Sequence, residues 1–377
     1  MTALDRLETP ALLLDEAAMD RNIERMRSRL RQLGVAFRPH VKTNKSIDVA
    51  RRLMETPQGP ITVSTLLEAD YFAGHGVTDI LYAVCIAPNK LDHVAALQAR
   101  GVRLSLILDS METARLLVAR AEATGQRFDL LIEIDSDGHR SGIKPDAGAL
   151  LEIGRYLDRA GIPVQGVLTH AGSSYDSTTT DAIRRMADQE RDAVLHAAGR
   201  LREAGFACPV VSVGSTPTAL FADNLDGVTE VRAGVFVFFD LVMAGLGVCR
   251  IDEIALSVLG TVIGHRPDKG WTLLDAGWMA MSRDRGTAAQ AVDQGYGLVC
   301  DLDGKPLHDL ILVGANQEHG IVGHRSGQVE GAVHLPVGTQ VRILPNHACS
   351  TAAQYGRYQV LGPGREISAT WPRFSGW

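Results

Sequence analysis

Hydrophobic and polar positions along this chain change their rhythm once. Between about residues 10 and 250, short apolar runs alternate with longer amphipathic stretches: Ala11–Leu14 precedes Met19 to Leu33, Ile80–Val84 precedes Leu91 to Ala99, and Leu104–Leu108 precedes Met111 to Ala123. Further runs stand at Leu130–Ile134, Val164–Leu168 and Val210–Val213. Strands this apolar are buried on both faces, and helix-length spacers between them predict βαβ units and a parallel sheet. About eight strand candidates predict that this α/β sheet closes into a (β/α)8, TIM-type barrel over residues 10–250.

Beyond residue 250 helical periodicity gives way to β-type runs broken by turns, at Ile254 to Gly264, Trp271 to Ala276, Leu310 to Val313, Gln340 to Leu344 and Tyr358 to Leu361. The pattern predicts a second, mainly antiparallel β domain over residues 251–377. Gly245-Leu246-Gly247 and the charges of Arg250 and Asp252 mark a soft boundary.

With 377 residues, 45% of them hydrophobic, the chain can bury a sizeable core. A net charge of −6 with scattered basic residues argues against a phosphate-backbone footprint, so nucleic acid is not an expected partner. No stretch approaches the ~20 apolar residues of a membrane-spanning helix, and the first residues lack a basic segment followed by an apolar run. Cys85, Cys208, Cys249, Cys300 and Cys349, odd in number and widely spaced, are unlike a disulfide framework. These features predict a cytoplasmic protein without a membrane partner that acts on a small molecule.

In such a barrel the catalytic groups stand on the loops that follow the C-terminal strand ends. Polar clusters occupy several of these places: His40-Val41-Lys42-Thr43, Asp135 to Gly142, His170 to Tyr175, and Gly214-Ser215-Thr216-Pro217-Thr218. A lysine there becomes a nucleophile when partial burial lowers its pKa, and it can then hold an aldehyde cofactor as an imine. A solvated surface charge is the commoner fate of a lysine. Gly214 to Thr218 combines small residues with hydroxyls that can cradle one phosphate, although a βα turn with a Ser/Thr cap has the same composition. In Pro345-Asn346-His347-Ala348-Cys349, positions 347 and 349 would share one face of a strand and grip one metal ion. Imidazole plus thiolate favours Zn2+, with Mn2+, Mg2+ and Co2+ open as alternatives. A structural role is the more frequent outcome for a lone His-x-Cys pair.

Taken in order, Thr9-Pro10-Ala11, Pro39 to Thr43, Asp137 to Gly142, His170 to Tyr175, Gly214 to Thr218, Arg232-Ala233-Gly234, Asp275-Ala276-Gly277, Gln317 to Gly320 and Pro345 to Cys349 resemble the fold-type III pyridoxal-phosphate enzymes, the alanine-racemase-like barrels. The resemblance is closest to the branch that holds D-serine dehydratase, D-threonine aldolase and D-threo-3-hydroxyaspartate dehydratase. It implies that Lys42 carries pyridoxal 5'-phosphate, that Gly214, Ser215, Thr216 and Gly234 hold its phosphate, that Tyr175 lies near the pyridine nitrogen, and that Arg140 and His170 also contact the cofactor. It further implies that residues 1–9 join 251–377 in a β domain carrying the metal pair His347 and Cys349. Such enzymes work as head-to-tail homodimers whose active sites are shared across subunits.

The chemistry so implied is a lyase reaction on a D-3-hydroxy amino acid of the D-threo-3-hydroxyaspartate, D-serine or D-threonine type. Lys42 takes the Cα proton, the metal assists departure of the 3-hydroxyl, and a 2-oxo acid and ammonia result. His-x-Cys resembles the dehydratases, whereas the aldolases carry His-x-Asp at this place. The runner-up is cleavage to glycine and an aldehyde. An amino-acid racemase or a non-catalytic pyridoxal-phosphate-binding protein stands further off, since neither accounts for the metal pair. Arg140, Arg283 and Arg285 are cationic candidates to meet a second substrate carboxylate. Glu318 and His319 are candidates to support the metal, with a polar turn an equal account of them.

Overall fold

The computed structural model describes residues 4–330 and 335–377; residues 1–3 and 331–334, which fall in the expected β domain, lie outside them. The chain divides into two compact units, Arg25–Gly234 with Gly376–Trp377, and Met1–Glu24 with Val235–Ser375. Residues 10–24 and 235–250 therefore group with the β unit, where the sequence pattern placed them in the barrel. The reason is pairing: the strand Ala11–Asp15, which reads like a barrel strand, instead runs antiparallel to Leu256–Leu259. A short apolar run specifies burial on both faces and leaves its partner open.

The first unit contains an eight-stranded parallel sheet. Its order is Ala36–Phe37, Glu230–Val231, Val210–Val213, Val164–Thr169, Asp129–Ile134, Arg103–Leu108, Asp79–Cys85 and Ile61–Val63. A parallel bridge from His40 to Thr62 closes the ring, with Val41 N–H donating to Thr62 O at 2.9 Å and Thr62 N–H to Pro39 O at 2.8 Å. The first strand is short, and the chain continues extended through His40 directly into the Lys42 turn.

Alternation sorts the strand residues between lumen and helices. Leu81, Ile107, Leu131 and Leu168 pack together as an apolar lumen cluster. Beside it lies a polar layer in which Arg38 donates to Glu230 Oε2 and to Asp79 Oδ1, both at 2.8 Å. Their alternates, such as Ile80, Tyr82, Leu106 and Ile132, are fully or nearly fully buried. Helix starts follow local chemistry, with Thr65, Ser110 and Thr179 each accepting a backbone N–H of the first turn.

The second unit holds a closed ring of six strands: Leu256–Arg266, Trp271–Leu274, Gly320–His324, Pro306–Ala315, Leu298–Cys300 and Gln340–Leu344, which pairs back onto Leu256–Arg266. Ala11–Asp15, Arg357–Leu361 and Ile367–Pro372 extend the sheet, and Leu4, Ala11, Leu13, Leu259 and Leu361 form a core cluster. The architecture is thus a (β/α)8 barrel with a mainly antiparallel β domain. Among the described residues no helix is long and apolar enough to cross a membrane.

Candidate active site

Lys42 sits in the turn between His40, where the barrel closes, and the helix Ile47–Leu53. Its side chain is exposed, and it makes no ion pair with any described carboxylate, so a primary amine stands open at the barrel mouth. The turn is fixed from below. Lys42 N–H donates to His40 Nδ1 at 3.4 Å, and His40 N–H donates to Ala233 O at 2.8 Å. Burial, and then the positive charges of Lys42 and Arg232, push the His40 pKa well down and keep the ring neutral.

Gly234 belongs to the same junction. A Cβ there would stand 2.8 Å from His40 O, so only glycine lets the two backbones meet.

His170 follows the strand Val164–Thr169, and its Nδ1–H donates to Gly214 O at 2.7 Å. This fixes the tautomer, leaving Nε2 as an acceptor. Burial lowers the His170 pKa to about 3 despite the bond to Gly214, so the ring is neutral at any physiological pH. Tyr175, on the 3-10 turn Gly172–Asp176, has its ring centred 6.2 Å from that of His170.

In the loop at 214–218, Gly214 also joins neighbouring elements. Its N–H donates to Glu190 Oε1 at 3.1 Å while its carbonyl accepts from His170. A Cβ at Gly214 would fall 1.9 Å from Arg232 O, so the glycine permits strand contact and positions its neighbours. Ser215 and Thr216 stand at the start of the helix Thr216–Phe221, where Ser215 forms a capping box with Thr218. Ser174 Oγ lies 3.0 Å from Ser215 Oγ, joining this loop to the Tyr175 turn.

Glu190, which the sequence reading did not single out, is 1% exposed and gathers both loops: its Oε1 accepts from Ala171 N–H at 2.9 Å as well as from Gly214. Burial raises its pKa, opposed by these hydrogen bonds and the Arg232 charge. Arg232 is itself buried, donating to Ser212 Oγ and Thr169 O, each at 2.5 Å.

Arg140 is mostly exposed and reaches Glu133 Oε1 at 3.4 Å. Glu133 Oε2 also accepts from Ser141 Oγ at 3.0 Å and Cys85 Sγ at 3.3 Å. Cys85, Asp109 and Glu133 place three potential ligand atoms within 4.8 Å of one another. Burial and the two carboxylates push the Cys85 thiol far up, so it acts here as a protonated donor.

In the β unit, His347 and Cys349 do come together, but not on a strand. His347 caps the short helix Ala348–Ala352, so Cys349 is helical and the expected alternation does not apply. The turn is imposed by Asp240, whose buried carboxylate accepts from Ala348 N–H at 3.0 Å and Met243 N–H at 2.9 Å, starting two short helices at once. His347 Nδ1–H donates to Asp284 Oδ2 at 2.8 Å, with Ser350 Oγ 3.1 Å from the same nitrogen. Burial alone would lower the His347 pKa, but the bonds to Asp284 and Cys349 raise it to about 11. The carboxylates of Asp284 and Asp240 make this pocket electronegative. Asp284 orients the ring as the outer carboxylate of a metal-bound histidine does.

Arg283 and Arg285 flank Asp284 in the sequence. Arg283 stacks over Trp278 at 5.0 Å, and Arg285 pairs with Asp293 at 2.7 Å while stacking on Tyr296. Glu318 and His319 are exposed in the turn between Pro306–Ala315 and Gly320–His324, where Asn316 N–H donates to His319 O at 2.8 Å.

Comparison with known proteins adds to this geometry. The alanine racemase N-terminal domain family matches residues 14–242, and the putative serine dehydratase domain matches residues 255–361. The D-threo-3-hydroxyaspartate dehydratase of Delftia sp. (strain HT23) is 54% identical over 98% of both chains. A solved structure of a cysteine-to-alanine variant of D-threo-3-hydroxyaspartate dehydratase, in its metal-free form, superposes with a TM-score of 0.96 at 52% identity, covering both chains fully. D-threonine aldolase from Filomicrobium marinum superposes with a TM-score of 0.82 at 25% identity, over 98% of this chain and 95% of that one.

Proposed function

The chain belongs to the D-serine dehydratase branch of the alanine-racemase-like pyridoxal-phosphate enzymes, and from that premise we propose that it dehydrates a D-3-hydroxy amino acid to a 2-oxo acid and ammonia with the help of a divalent metal. The observation that carries the reading is the contact of His347 with both Asp284 and Cys349. It presents an oriented imidazole and a thiol in an electronegative pocket.

The residues present fit both groups. Pyridoxal phosphate held at the Lys42 turn would supply an electron sink for the pair of electrons left at Cα, and a cation held by His347 and Cys349 would supply Lewis acidity for the departing 3-hydroxyl. Ser215 and Thr216, with Gly214 and Gly234 beside them, would hold the phosphate, Tyr175 would face the pyridine nitrogen, and Arg140 and His170 would flank the ring. Lys42 Nζ would take the Cα proton. Neutral His170 and His40 hold that region without adding positive charge. Asp284 keeps the His347 proton on Nδ1, leaving Nε2 to bind. Zn2+ suits this nitrogen and sulfur pair.

The preferred substrate of this reading is D-threo-3-hydroxyaspartate, supported by the 54% identity to a dehydratase of that name. Arg140, mostly exposed and only loosely bound to Glu133, is the cationic candidate for the second carboxylate. The five cysteines are all free, as suits a reducing cytoplasm. A homodimer that shares its active sites completes the proposal, on the family resemblance.

The test is product analysis. D-threo-3-hydroxyaspartate, D-serine and D-threonine are incubated separately with the holoenzyme, and ammonia is assayed against glycine. Ammonia with the matching 2-oxo acid is expected; glycine with an aldehyde would establish the aldolase reaction instead.

A further inference from the structure

Arg342, on the strand Gln340–Leu344, is out of keeping with its surroundings. Only 5% of it is exposed, and its strand partners Leu259 and Cys300 are both fully buried. Its Nε donates to Ser257 Oγ at 3.0 Å. Its two terminal nitrogens have no ion pair within 4.0 Å among the described residues, although buried guanidinium groups are ordinarily paired.

The residue also borders an open pocket. Arg342 lines this pocket of about 510 Å3 on the β unit, together with Asp15, Ile254, Leu344 and the exposed Asp252, Asp303 and Lys305. The volume falls within the range of small-molecule sites, roughly 300–1,000 Å3. Gly304, at φ +80°, forms one wall, and a Cβ there would come within 3.2 Å of Arg342 Nη1. The wall is bare where the guanidinium needs room.

The charges around the cavity narrow the ligand. A guanidinium offers two parallel N–H donors to a carboxylate. Asp15, Asp301 and Asp303 act on Arg342 from nearby, so a bare anion would meet opposing charge, whereas a ligand that also carries a cation would find acceptors. Ile254 and Leu344 add an apolar wall. We propose that this cavity binds a small zwitterionic amino acid, its carboxylate on Arg342 and its ammonium toward Asp15 and Asp303. The proposal does not depend on the reading of the reaction.

N,N-dimethylglycine is a suitable probe because its tertiary amine cannot form an imine. Calorimetric titration of the holoenzyme is expected to show one such site per chain, weakened about tenfold or more by Arg342→Gln and weakened also by Lys305→Glu. Acetate should bind at least several-fold more weakly; equal binding of acetate would overturn the zwitterion assignment. A soak of wild-type crystals with the probe covers the case in which Arg342→Gln does not fold. Density against Arg342 supports the proposal. Binding that both variants leave unchanged, or an empty cavity at saturating probe, contradicts it.

Discussion

Single residues carry much of this chemistry through what they do to a neighbour. Asp284 touches His347 by one hydrogen bond, and on the present account that bond sets which imidazole nitrogen is free for a cation. Asp284→Asn should weaken metal binding by about 10–100-fold in a competitive chelator titration; an unchanged affinity would remove the orienting role. His170 makes a different prediction. Its folded pKa of about 3 lies below the ~6.5 of an unfolded histidine, so between these values the unfolded chain binds the extra proton. Stability from this group is therefore full above about pH 6.5 and falls as the solution is acidified, by at most about 1.4 kcal/mol per pH unit. Urea midpoints at several pH values should show a shallower acid loss in His170→Gln than in the parent. Equal slopes would mean that His170 is protonated in the folded state.

How legible such residues were depends on whether they break a local pattern. Glu190 does so: on the helix Thr180–Glu203 it falls among Ile183, Ala187, Val194, Ala197 and Leu201, an acid on the buried face at helical spacing. That signal was present in the sequence. Asp284 had none, because its partner is 63 positions away and its neighbours Arg283 and Arg285 look like any charged turn.

At the scale of elements, the loops after the barrel strands are held by tertiary anchors. Glu190 ties the turn at Ala171 to the turn at Gly214, so it links the Tyr175 element to the phosphate-type loop. Glu190→Ala leaves two buried N–H groups without an acceptor and should cost about 1–3 kcal/mol in denaturant unfolding. Glu190→Gln keeps a carbonyl oxygen and should recover much of that stability. If both variants matched the parent, the anchor would be idle. The alternation of strands and helices was readable because each barrel repeat encodes its own burial. The strand Ala11–Asp15 was misplaced for the complementary reason, since its neighbours lie more than 240 residues away in sequence. His347 and Cys349 met for another cause than the one anticipated: Asp240, more than 100 residues earlier, turns the chain into a helix there.

At the scale of the molecule, a barrel that presents a lysine and a β unit that presents a metal pair each hold part of one proposed reaction. The account expects the 40.6 kDa chain to run as a dimer in sedimentation equilibrium, and a monomer at working concentration would remove the shared-site arrangement. Its central claim is that the metal pair takes part in eliminating the 3-hydroxyl. The most direct measurement is ammonia release from D-threo-3-hydroxyaspartate by holoenzyme before chelation, after chelation, and after Zn2+ is restored. Turnover should be lost with the metal and return with it, while the absorbance of the cofactor bound at Lys42 persists throughout. Undiminished ammonia release from the fully metal-depleted enzyme would contradict the account.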